Sequence, residues 1–174
     1  MKRDVSLWQF AGFALTALVG TLLHFLYEWT GGNLAVALVS GVNESTWEHM
    51  KLLYVPLLLF ALIQSRFFRD NKSFWCAKLI GTLTGSLLIP VLYYTYNGAI
   101  GKSPDWLNIT IFFVAAAGTF WLEWRLLRYP HWRCSRPRFA IVALAAVGVL
   151  FVVFTFAPPP LPLFRDPLTG TYGI

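Results

Sequence analysis

Long apolar runs alternate with short polar breaks along this chain. A helix needs about 20 apolar residues to cross hydrocarbon. Five runs meet that test, at roughly residues 6–28, 47–67, 74–96, 105–127 and 139–157. The first opens like a signal peptide, but it continues through "TLLHFLYEW" with no small-residue cleavage site, so it reads as an uncleaved first helix. Between the first two runs lies "GGNLAVALVSGV". Its ten or so apolar residues would rise about 15 Å as a helix, half the hydrocarbon thickness, which predicts a re-entrant or interfacial segment. The pattern thus predicts an all-α, polytopic membrane bundle of five transmembrane helices plus one short helix. Residues 1–157 form the bundle. Residues 158–174, "PPPLPLFRDPLTGTYGI", form a Pro-rich tail that either docks across the mouth of the bundle or stays disordered.

Composition agrees with the pattern. Only 13% of residues are charged and 57% are hydrophobic, whereas soluble domains carry roughly 25% charged residues. The net charge of +6 is the signature of basic cytoplasmic loops, and no nucleic-acid-binding motif is present; the expected partners are membrane lipids.

Charge placement gives an orientation. Lys2, Arg3, Arg66, Arg69, Lys72, Lys78, Arg125, Arg128, Arg133, Arg136 and Arg138 all fall at one end of a five-span bundle. The other end receives Lys51, Lys102 and Arg165. The positive-inside rule then predicts a cytoplasmic N-terminus and an extracytoplasmic C-terminus. Cys76 and Cys134 fall near the cytoplasmic face, where free thiols are expected. Glu28, Glu44, Glu48, Asp105 and Asp166 map to the outer end, with His24 and His49.

This outer charge carries the candidate chemistry. His24 and Glu28 are four apart on the first helix and share a face, as do Glu44 and Glu48 around the start of the second. A short connection makes the two helices antiparallel neighbours, so their outer ends meet. Imidazole and carboxylate together are ligands for zinc and other divalent metals, which makes His24, Glu28, Glu44, Glu48 and His49 a candidate metal set. Without metal, Glu28 and Glu48 are a candidate general acid and base, with His24 relaying or orienting. A plainer account competes. "STWE" is a capping box, with Ser45 as N-cap and Glu48 reaching back to the Ser45 amide, which explains Glu48 without function. His24, a full turn inside its span, is the hardest to explain that way, because it needs a polar partner.

Other polar positions read as structural. Tyr93, Tyr96 and Asn97 end the third span, and Asp105 and Asn108 begin the fourth, as interfacial and capping residues. Glu123 is expected to pair with arginines at the inner interface, and His131 to be solvated in a basic loop. "GTLTGS" offers small residues for close helix packing, and Pro56 and Pro90 fall inside spans. Few polar residues occupy the inner halves of the spans and no internal repeat is evident, which argues against a through-membrane path.

On "LLHFLYEW", "GVNESTWEHMKLL" and "PLFRDPLTGTYGI" the chain resembles an uncharacterised family of small bacterial multi-spanning membrane proteins. The resemblance implies a bacterial cytoplasmic-membrane location and little about activity. A weaker likeness is to the emopamil-binding and sterol-isomerase superfamily. There a His-x-x-x-Glu pair on one membrane helix faces another Glu on the next; His24, Glu28 and Glu48 match in kind, although the remaining motifs do not. Three functions stay open: an acid–base or metal-dependent enzyme acting on a lipid-like substrate, a proton- or metal-binding carrier or sensor, and a structural or partner-binding membrane protein.

Overall fold

In the computed structural model, which describes residues 4–128 and 132–174, the chain is an all-helical bundle. Helix α1 spans Val5–Trp29, α2 Leu34–Ala37, α3 Thr46–Ser65, α4 Phe74–Ile100, α5 Asp105–Arg128 and α6 Pro137–Phe156. All but α2 are long and apolar enough to cross a membrane. His131 lies outside the described residues.

Local chemistry sets the helix ends. The Asp4 carboxylate caps α1 by accepting from the amides of Ser6 and Leu7, at 3.0 and 3.3 Å. The helix stops before Gly31 and Gly32, both at positive φ, where a side chain would strain the turn. Asn33 then caps the single turn of α2, and the segment runs back toward α1 instead of crossing. Pro137 starts α6, where a missing amide hydrogen costs nothing.

Helices α1, α3, α4 and α5 close a ring, with contacts from α1 to α3 and α5, and from α4 to α3 and α5. Helix α6 packs outside the ring on α3 and α4. The α4–α5 contact is close because α4 carries Gly81 and Gly85: a Cβ on the first would press on Glu123, and on the second against Thr119. Facing outward are bare apolar side chains such as Phe10 (69% exposed) and Val142 (66%). Water does not tolerate so much apolar surface; lipid is its natural solvent.

Two expectations are corrected at the basic end. Cys76 and Cys134 are not free thiols but form a disulfide, with Cα atoms 5.9 Å apart. The segment before α6 folds back over the start of α4, where Ser73 Oγ accepts from the Cys134 amide at 3.1 Å and donates to the Trp132 carbonyl at 3.2 Å. Glu123 pairs with Lys78 of α4, at 2.5 Å, and not with the arginines. Its side chain points into the ring, while Arg125 and Arg128 lie over Trp121 and Trp124.

At the opposite end the tail is folded. Phe164, in a 3₁₀ turn at Pro162–Phe164, is buried against Trp47 and Phe154, with ring centroids 4.9 and 5.3 Å apart. Asn43 Nδ2 donates to the Gly173 carbonyl at 2.9 Å, and Asp166 Oδ1 accepts from the Leu168 amide at 2.8 Å.

Candidate functional site

The site begins where the α2 connection touches α1. Ser40 is fully buried, and its hydroxyl donates to the Leu23 carbonyl while accepting from the Tyr27 amide at 3.1 Å. It thus bridges the amide and the carbonyl of one turn of α1. The Gly41 amide also reaches the Leu23 carbonyl, at 3.3 Å. The α2 connection is thereby sewn into α1 beside His24, which fixes the level at which Glu44 meets that helix.

Glu44 stands between two imidazoles. His24 Nε2 lies 3.6 Å from its Oε1, and His49 Nε2 lies 3.6 Å from its Oε2. One ligand atom from each residue falls within 4.8 Å of the others. A separation of 3.6 Å is too long for a hydrogen bond. It is close to the edge of a zinc tetrahedron, about 3.4 Å for bonds of about 2.1 Å. His49 Nδ1 is 2.9 Å from the Ser45 carbonyl, and because a carbonyl only accepts, Nδ1 carries the proton. In the neutral ring that leaves the Nε2 lone pair facing Glu44. Metal-ligating histidines are commonly held this way, by a bond from the other nitrogen.

The other two candidates go elsewhere. Glu28 is exposed and outside this group. Glu48 is 2% exposed and turned into the bundle. Its Oε2 lies 2.5 Å from Lys51 Nζ and accepts from the Val42 amide at 3.2 Å, while its Oε1 accepts from Thr155 of α6 at 2.7 Å. Only half of the capping box forms: Ser45 Oγ accepts from the Glu48 amide at 3.4 Å, but the Ser45 amide donates to Asn43 Oδ1 at 2.9 Å. The carboxylate is needed by Lys51. That lysine is fully buried and donates to the Ala37 carbonyl at 2.9 Å and to Thr155 at 2.7 Å. His24 therefore converges with Glu44 and His49, whereas Glu48 serves a separate buried ion pair.

A cavity of about 320 Å³ adjoins the His–Glu group. Glu44 and His49 form part of its wall. Tyr93 of α4, Asp105 and Asn108 of α5, and Lys102 between them form another part; Pro167 and Leu168 of the tail also line it. Asn108 is held by Ser103, whose hydroxyl donates to its Oδ1 at 2.8 Å.

A family model matches the chain over residues 1–174. The chain belongs to DUF6512, a family of unknown function. No curated protein and no solved structure matches it. Membership in DUF6512 thus brings no activity with it, and what this member does has to be argued from its side chains.

Sequence reasoning missed four side chains as members of buried clusters. Lys51 could have been paired with Glu48 from their i, i+3 spacing. Thr155, 104 residues from Lys51, and the Lys78–Glu123 pair across α4 and α5 left no local signal.

Proposed function

We propose that this protein binds a divalent metal ion, zinc being the natural choice, through His24, Glu44 and His49, and uses it on the polar part of a lipid-like substrate. The observation that carries this reading is the placement of Glu44 between two imidazoles, 3.6 Å from each and too far for hydrogen bonds, with Glu44 and His49 on the wall of a cavity. Three protein ligands leave a fourth position for water or substrate, as in catalytic rather than structural zinc sites. Bound there, the metal would supply Lewis acidity or an activated water. Asp105 and Tyr93, elsewhere on the cavity wall, are the groups suited to hold or move a proton, and Asn108 and Lys102 to orient a polar headgroup. The acid–base alternative that uses Glu28 and Glu48 fits less well, because the Glu48 carboxylate is already engaged by three partners. The one-sided clustering of arginines supports an extracytoplasmic site in a bacterial inner membrane, with the N-terminus cytoplasmic, whereas the Cys76–Cys134 disulfide at the basic end is unusual for a cytoplasmic face and weighs against that orientation.

Elemental analysis of protein purified without chelator, with thermal unfolding in zinc and in chelator, tests the metal. Metal in wild type that is lost in His24→Ala and His49→Ala, with the fold retained, is the expected result. Metal-free wild type whose unfolding ignores both additions would remove the reading. Comparing lipid extracts incubated with zinc-loaded wild type or Glu44→Gln then tests for a consumed substrate.

A second reading, a proton- or metal-binding carrier or sensor, draws on a different observation. The basic-end halves of the spans are less apolar inside than their sequence suggests, since Gln9, Gln64, Lys78 and Glu123 are all buried there. Metal or proton flux through protein-containing vesicles, absent from empty ones, would favour it over the enzyme.

A further inference from the structure

Each helix of the ring turns one polar side chain inward near the basic end: Gln9 from α1, Gln64 from α3, Lys78 from α4 and Glu123 from α5, none more than 4% exposed. Shared neighbours put them on one level. Phe60 and Phe120 pack edge to face, with centroids 6.3 Å apart, and a Cβ on Gly12 would touch both rings. Gln9, Gln64 and Glu123 each lie one helical turn beyond Gly12, Phe60 and Phe120 toward the basic end. Lys78 Nζ lies 5.6 and 5.4 Å from the same two rings.

The layer is under-bonded by protein. Lys78 donates to Glu123 Oε2 at 2.5 Å, but Glu123 Oε1 and both polar atoms of Gln9 and of Gln64 have no hydrogen-bond partner among the described residues. Leucine or methionine at positions 9 and 64 would cost far less at this depth. Polar groups buried without protein partners are the sites that hold internal water. The layer is also covered: Trp8, Phe68 and Phe74 pack between it and the basic end, with Trp8 edge-on to Phe68 at 6.2 Å between centroids and Phe68 stacked on Phe74 at 5.7 Å.

We propose that Gln9, Gln64, Lys78 and Glu123 form a hydrated proton-binding site in which Glu123 is the acceptor. A hydronium held by the two amides gives its proton to Oε1: the new O–H bond forms, the old one breaks, and a neutral water remains. Release is the reverse. Among the described residues the titratable group facing Glu123 is Lys78 of α4; α1 and α3 present uncharged amides at this level. Neutralising the carboxylate does not strand the ammonium, because Phe60, Phe74 and Phe120 surround it at 5.4 to 5.6 Å and stabilise a cation through their π faces. A simple structural ion pair has no use for two amides beside it. This site shares no residue and no test with the metal reading.

Infrared difference spectroscopy on the full protein in lipid, stepped in pH, reads the carboxyl directly. The expected result is a protonated-carboxyl band that comes and goes with pH in wild type and is lost in Glu123→Gln. Should that variant fail to fold, Glu123→Gln combined with Lys78→Met leaves no unpaired charge and serves instead. Gln64→Leu is expected to keep or raise the thermal midpoint while slowing the isotope shift of the band in heavy water. No such band in wild type at any pH where it stays folded, or a band that survives loss of Glu123, overturns the proposal.

Discussion

His49 and Glu44 face each other at 3.6 Å, on a helix turn and a preceding loop that Ser45 joins covalently and by hydrogen bond. The imidazole cannot rotate away without losing its bond to the Ser45 carbonyl. A pre-aimed ligand of this kind lowers the ordering cost of capturing a metal. Replacing His49 by alanine is therefore expected to weaken zinc binding by more than the 10- to 100-fold typical of a lost supporting contact, roughly 100-fold or beyond. Isothermal titration of both proteins measures it; equal affinities would mean that the metal, if bound, sits elsewhere.

Proton competition gives the metal a pH signature. Imidazoles must be neutral to ligate, and ordinary histidines protonate near pH 6.5 (about 6.5 in model peptides). Zinc-dependent stabilisation should be present above that range and fade as pH falls through it. At about 100 times the dissociation constant the ion adds about 2.7 kcal/mol. Thermal scans with and without zinc across this range should therefore converge at low pH; a gap that does not narrow would argue against histidine ligands.

Glu48→Gln should unfold the protein rather than merely inactivate it. Lys51 is fully buried, and removing the partner of a buried charge costs about 3–5 kcal/mol. Pairing the change with Lys51→Met should restore most of the loss. A single variant with wild-type melting but no metal or activity would instead make Glu48 part of the site.

The tail should hold on through Phe164. Phe164→Ala removes a ring packed against Trp47 and Phe154, a change that costs about 3 kcal/mol in well-packed sites. Limited proteolysis at the C-terminus should accelerate with little change in the melting of the bundle. Unchanged cleavage would show that contacts other than Phe164, such as the Asn43 side-chain bond to the Gly173 carbonyl, hold the tail.

Orientation has a direct test. Thr169 is exposed on the tail, so Thr169→Cys is expected to react with an impermeant maleimide on intact cells. Reaction only after the cells are opened would reverse the orientation and put the His–Glu group in the cytoplasm.

Apolar periodicity and run length made the architecture legible, because a span must be long and unbroken; the predicted ends of α3, 47 and 67, lie close to Thr46 and Ser65. His24, Glu44 and His49 could be brought together on paper for a similar reason: a short connection forces two helix ends to meet. What the chain could not disclose was choice among carboxylates. Glu44 and Glu48 share a spacing and a neighbourhood, and a buried lysine one turn further on decides that Glu48 turns inward. Partners far apart in sequence were equally hidden. Cys76 and Cys134 meet only because the segment before α6 folds back over α4, and no local pattern foretells that return.

Thr155 belongs to the last helix, yet it completes the hydrogen bonding of an ion pair on the second span, 104 residues earlier in synthesis. Until α6 is made and docked, Lys51 and Glu48 sit in the nascent bundle one partner short. The early spans can pair these charges with each other and with Ala37 and Val42, but they cannot complete the hydrogen bonding. The order of the chain thus sets an order of maturation, in which the end of translation closes the bundle next to the very place where the candidate site opens.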